Sequence, residues 1–147
     1  MIVLDTNVIS ELMRVEPNPR AEACLRAQAQ NMLSITSITV AEILYGLRRL
    51  PDGRRRADLA KRFYDLMVRG FRERLLVFDE AAADAYAGIL ADRRRSGHSI
   101  EVLDAQIAGI ALAHGAQVAT RNVLHFVNCG VRVIDPWAWP DSSEPSE

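Results

Sequence analysis

The sequence predicts an α/β fold built on a mostly parallel sheet. Five short apolar runs recur along the chain, and the stretches between them carry apolar residues at helical spacing. There is no internal repeat, and no shift of composition marks a second domain within the 147 residues.

The runs at 2–4, 32–35, 75–78, 117–119 and 131–134 are the expected strands. Between them, Val40, Ile43, Leu44 and Leu47 repeat at helical spacing, as do Leu59, Phe63, Leu66 and Met67. Leu103, Ile107 and Ile110 form a third stripe, followed by Gly115 where a helix C-terminal glycine belongs. Pro51-Asp52-Gly53 reads as a turn between two helices. One domain over residues 1–139 is expected, with a frayed Ser, Pro and acid tail over 140–147.

Composition narrows the function classes. Hydrophobic residues make up 49% and charged ones 25%, the balance of an ordinary water-soluble protein. Uncharged stretches such as 107–118 are too short to span a bilayer, and the start lacks the basic region of a signal peptide. A cytoplasmic protein is expected, with Cys24 and Cys129 as reduced thiols. The net charge of −1 offers no global basic field, yet 17 of the 18 basic residues are Arg. They cluster at Arg48-Arg49, Arg54-Arg55-Arg56, Arg72 with Arg74, and Arg93-Arg94-Arg95. Such runs are either solvated helix faces or phosphate contacts.

Three acids stand out. Asp5 ends the first apolar run, so it faces the crevice at the carboxyl end of a strand or caps the next helix. Glu42 closes a capping-box pattern with Thr39, and on a helical wheel it lies opposite the apolar stripe. Asp104 sits beside the third stripe, three residues after the like-charged Glu101. None of the three has a basic neighbour within four residues, a setting that suits a hard divalent cation with oxygen ligands. His98, His114 and His125 form no zinc-ligand spacing and read as surface or loop residues, and no phosphate-binding glycine loop is present.

Four segments resemble, in order, the signatures of PIN domains: Met1-Ile-Val-Leu-Asp5-Thr-Asn-Val-Ile-Ser10, Ile38-Thr-Val-Ala-Glu42, Asp104-Ala-Gln-Ile-Ala108 and Ala119-Thr-Arg-Asn-Val-Leu-His-Phe126. With Val133-Ile-Asp-Pro-Trp137 they are similar to the VapC/FitB branch of bacterial toxins. The resemblance implies an α/β/α sandwich and a Mg²⁺- or Mn²⁺-dependent endoribonuclease. It also implies a homodimer silenced by a cognate antitoxin, with operator DNA reached only through that antitoxin. Asp5, Glu42 and Asp104 fall on the first three acidic positions, Asp5 and Asp104 as direct ligands and Glu42 as ligand through water or as base. Asn122 falls where many members carry a fourth acid, which puts a second metal in doubt, and Thr120 and Thr6 fall at supporting positions.

Two other readings compete. A non-catalytic module could keep the fold and bind RNA, though the retained acids argue against it. A Mg²⁺-dependent phosphoryl-transfer protein also places an Asp after strand one. It leans on a strand-end lysine, however, whereas the one lysine here is Lys61, in an amphipathic run, and Asn7 stands where the dehalogenase type needs an acid.

Overall fold

A computed structural model describes residues 1–140 of the chain. Residues 141–147, where all but the first residue of the expected tail falls, lie outside the described residues. Five parallel strands make one sheet in the order β3-β2-β1-β4-β5. They are β1 (Ile2–Leu4), β2 (Leu33–Thr36), β3 (Leu75–Leu76), β4 (Gln117–Ala119) and β5 (Val133–Ile134). Six helices join them: α1 (Thr6–Leu12), α2 (Pro19–Arg26), α3 (Ser37–Arg49), α4 (Arg54–Leu66), α5 (Glu80–Arg95) and α6 (Val102–Ala113). Parallel strands require crossovers, and the helices supply them on both faces.

The central strand shows how the two faces are filled. Successive strand residues point to opposite sides. Ile2 and Leu4 enter a core with Val8, Ile9, Ile43 and Phe63, from α1, α3 and α4. Val3 enters the other core with Ile89, Ile107 and Ala111, from α5 and α6. This is the expected α/β/α sandwich. The chain builds outward from β1 to β2 and β3, then crosses to β4 and β5 on the other side. That reversal opens a crevice at the carboxyl ends of β1 and β4.

Three strands differ in extent from the apolar runs. Residues 30–32 form a 3₁₀ turn before β2, which then runs on through Thr36, while β3 and β5 keep only two residues each. Two stripes are also rotated. Leu44 is 41% exposed and Leu103 44%, whereas Thr39, Ile43 and Leu47 form the buried line of α3. On α6 nearly every residue from Ala105 to Ala111 is buried, so that helix is wrapped and not merely striped. A Cβ on Gly109 would lie 2.8 Å from the Ala82 carbonyl oxygen, so glycine lets α5 and α6 approach this closely. Past the end of α6, Gly115 takes φ +62°, as a helix C-terminal glycine does.

Two arginines within the arginine runs are structural. Arg93 is buried, its guanidinium donating to the carbonyls of Val127 and Ser99. Arg74 donates to the carbonyls of Leu33 and Gly70. These two are neither solvated faces nor free for phosphate. Cys24 and Cys129 are both buried free thiols, and burial pushes both thiols up, keeping them protonated. Among the described residues no helix is long and apolar enough to cross a membrane.

Candidate active site

Asp5 leaves β1 with extended backbone and becomes the N-cap of α1. Both sequence readings of Asp5 therefore hold: it caps the helix and faces the crevice. Its Oδ1 accepts from the Thr6 amide at 2.8 Å. Its Oδ2 accepts from the Thr120 hydroxyl at 2.7 Å and from Asn7 Nδ2 at 3.2 Å. Thr120 is fully buried just past β4, so this bond ties together the two strand ends that flank the crevice.

Glu42 closes no capping box. The N-cap of α3 is Thr36, whose hydroxyl accepts from the Thr39 amide, so the helix starts earlier than the Thr39–Glu42 pattern implies. Glu42 instead accepts from the Thr6 hydroxyl at 2.8 Å, and that hydroxyl lies 3.1 Å from Thr39 Oγ1. Asp104, in the first turn of α6, has a partner the sequence did not reveal. His125 Nδ1 lies 2.8 Å from Asp104 Oδ2, brought in by the turn over Val123–His125. The three acids line one cavity of about 470 Å³, together with Thr6, Arg121 and Asn122 among others.

A family model for the PIN domain matches residues 2–123. The chain belongs to the PIN-domain family. It is 42% identical to VapC ribonuclease Y4jK of Sinorhizobium fredii over 137 residues, 93% of this chain and 98% of that one. It is 38% identical to Toxin FitB of Neisseria gonorrhoeae, over 93% of this chain and 99% of that one. The crystal structure of FitAcB from Neisseria gonorrhoeae superposes with a TM-score of 0.87 at 38% identity, covering 94% of this chain and 99% of that chain.

The electrostatics of this PIN domain concentrate in the acidic pocket. Desolvation raises the Asp5 carboxyl above its ordinary range; the bonds from Thr120 and Thr6 pull it partly back, and the Asp104 charge pushes it further up. Glu42 is raised as well, first by burial and then by the charges of Asp5 and Asp104, against the Thr6 bond. The carboxylates thus repel one another in a site that a cation would relieve. Glu42 Oε2 and Asp104 Oδ1 carry no bond among the described residues, so both remain available as oxygen ligands. Among the described residues no three His, Cys, Asp or Glu side chains stand close enough to hold an ion as a set. Mg²⁺ does not need that, because it binds through one or two carboxylates and keeps several waters.

Asn122 contributes its backbone, whose amide donates to Thr120 Oγ1 at 3.0 Å, while its exposed side chain makes no bond among the described residues. Asn7 is the residue the sequence reading passed over. Its Nδ2 reaches both Asp5 and Thr120 Oγ1, and its Oδ1 accepts from the Arg121 amide at 3.1 Å. The adjacent Asp5-Thr6-Asn7 could have signalled this, since Asn side chains bond to nearby polar groups. His125 gave no such signal, because 21 residues separate it from Asp104. Arg121 also lines the pocket, its guanidinium stacked 5.3 Å from the centre of the Trp137 ring.

Proposed function

We propose that this chain is a metal-dependent endoribonuclease, the toxin of a toxin–antitoxin pair, which hydrolyses RNA phosphodiesters in the Asp5/Glu42/Asp104 pocket. The observation that carries the reading is the convergence of three carboxylates, from the end of β1, α3 and α6, on one open cavity at the carboxyl end of a parallel sheet. The names of the relatives, VapC ribonuclease and Toxin FitB, support it.

Oxygen-only donors fit Mg²⁺ or Mn²⁺, with Asp5 and Asp104 as direct ligands and Glu42 as ligand through water or as base. Such an ion would polarise a phosphodiester oxygen and lower the pKa of water. The chain's own residues do the rest. Thr120, Thr6 and Asn7 fix the Asp5 carboxylate before any ligand arrives. Glu42, raised and half-buried, is placed to take a proton from an attacking water. Asn122 lies at the rim, where an amide offers an oxygen or a donor to water but no charge.

RNA is the proposed substrate and a cognate antitoxin the proposed inhibitor, in the cytoplasm, with operator DNA reached only through that antitoxin. A homodimer is the proposed assembly, since Leu103, Leu112 and Leu124 on and near α6 are left exposed. Mn²⁺-dependent cleavage of RNA by the wild type, abolished in Asp104→Asn with the fold retained, is the expected result. Cleavage that persists in chelator or in Asp104→Asn overturns the assignment.

A further inference from the structure

We propose that the arginine-lined cavity adjoining the acidic pocket is an RNA-phosphate groove that carries the strand away from the cleavage site. The proposal rests on the ribonuclease reading and adds where the substrate runs. This cavity, about 750 Å³, shares Ser10 and Arg14 with the acidic pocket, so the two are continuous. Its walls carry four guanidiniums, from Arg14, Arg54, Arg55 and Arg62, against two carboxylates, Glu16 and Asp58. The sign of charge therefore reverses along one surface, from an acidic end suited to a cation to a basic end suited to phosphate.

The partners of these arginines sharpen the case. Arg62 is tied to the Met13 carbonyl at 3.1 Å, and Arg14 lies 3.4 Å from Glu11. Arg54 and Arg55 make no ion pair or hydrogen bond among the described residues, and both are exposed. Their neighbour Arg56, by contrast, pairs with Asp52. Arg54 and Arg55 also occupy the first turn of α4, where the helix dipole disfavours cations, behind Gly53, which provides no side-chain cap. The fold gains nothing from cations there, whereas a polyanion lying in the cavity would. Repeated phosphates suit this cavity better than an acidic peptide, because a strand with its scissile phosphate among the carboxylates must place flanking phosphates beside them. Arg48 and Arg49 do not line the cavity, and Arg49 lies over the Tyr45 ring.

The test compares Arg54→Gln/Arg55→Gln with Arg48→Gln/Arg49→Gln, which removes equal charge outside the cavity. Binding of a single-stranded oligoribonucleotide of about a dozen residues is measured in chelator at several salt concentrations. Cleavage of that oligomer and of a dinucleotide is then measured with Mn²⁺. The Arg54/Arg55 variant should lower the slope of log affinity against log salt by about 1.4, two contacts at roughly 0.7 each. It should raise KM for the oligomer and leave dinucleotide cleavage unchanged, and the Arg48/Arg49 variant should match wild type throughout. Equal slopes for both variants and wild type, or equal losses in both variants, overturn the groove. A variant that binds RNA normally but no longer binds the antitoxin also overturns it and assigns the cavity to protein. Wild type that binds RNA without cleaving it sinks the ribonuclease reading alone, and wild type that binds no RNA sinks both.

Discussion

Asp5 and Asp104 line the same cavity and are held in opposite ways. Asp5 is 4% exposed and receives three donors, from Thr6, Asn7 and Thr120, two of them set by the local turn and one by the neighbouring strand. Asp104 is half-buried at the start of a helix and meets one imidazole, His125, on a short turn with an exposed side chain. One acid is fixed by the sheet itself and the other by a surface contact. The Asp5 half of the site is thus preorganised together with the fold, while the Asp104 half can be altered with little effect on the core.

The largest expected effect concerns the charge that both halves share. Mg²⁺ or Mn²⁺ at about a hundred times its Kd should add about 2.7 kcal/mol of stability. That corresponds to roughly 5–10 °C in a domain of this size. Asp5→Asn and Asp104→Asn should each remove the shift, as read by thermal unfolding across millimolar metal. The metal-free protein carries the complementary pH signature. Asp5 and Glu42 are raised, so each holds its proton more tightly folded than unfolded. Stability should therefore be greatest where both are protonated and fall as pH climbs from the ordinary carboxylate range through the raised one. Asp5→Asn should flatten that fall. A metal-free melting curve that is level over the same range would mean that neither burial nor like charge penalises the ionised carboxylates of the pocket.

The next effect separates the two halves by their supports. Thr120→Val removes a buried donor to a carboxylate and should cost about 1.5–3 kcal/mol at neutral pH. Thr6→Val removes the bond to the half-buried Glu42, which water can partly replace, and should cost about 1 kcal/mol or less. Chemical denaturation of both variants gives the comparison. Equal costs would show that the Asp5 half is no more rigid than the Glu42 half.

What could be read in the sequence follows the same division. The strand runs, the turn at Pro51-Asp52-Gly53 and the family signatures are local patterns, and the fold retains them. Asp5, Thr6, Asn7 and Thr120 lie at strand ends, where alternation and turn chemistry fix direction within a few residues. The errors arose where packing decides. Leu44 and Leu103 keep helical spacing yet face outward, because Thr39 and the Ala-rich face of α6 take the buried positions. Of the two readings of Glu42, the capping box fails because Thr36, three residues before Thr39, starts the helix instead. Arg93 looks like part of a charged surface run, and only the loop carbonyls of Ser99 and Val127 explain its burial. The His125–Asp104 contact requires the α6–β4 crossover to be in place, so no window of the sequence contains it.

The smallest expected effect on stability is also the sharpest test of the comparison. The His125 side chain is 50% exposed and that of Asp104 19% exposed, a setting in which such pairs contribute between nothing and about 1 kcal/mol. His125→Ala should therefore leave the denaturation midpoint almost unchanged, unlike Thr120→Val. Its effect should appear at the metal instead. The imidazole holds one oxygen of Asp104 and leaves the other turned free, so without it the carboxylate can rotate away from the cavity. Removing a group that orients a ligand typically weakens metal affinity by about 10–100-fold, and His125→Ala should fall at the lower end because its bond is exposed. Calorimetric titration with Mn²⁺, beside the same titration of Thr120→Val, decides the matter. A His125→Ala protein that binds Mn²⁺ as tightly as wild type would show that Asp104 needs no positioning partner. The two halves of the site would then differ in burial alone.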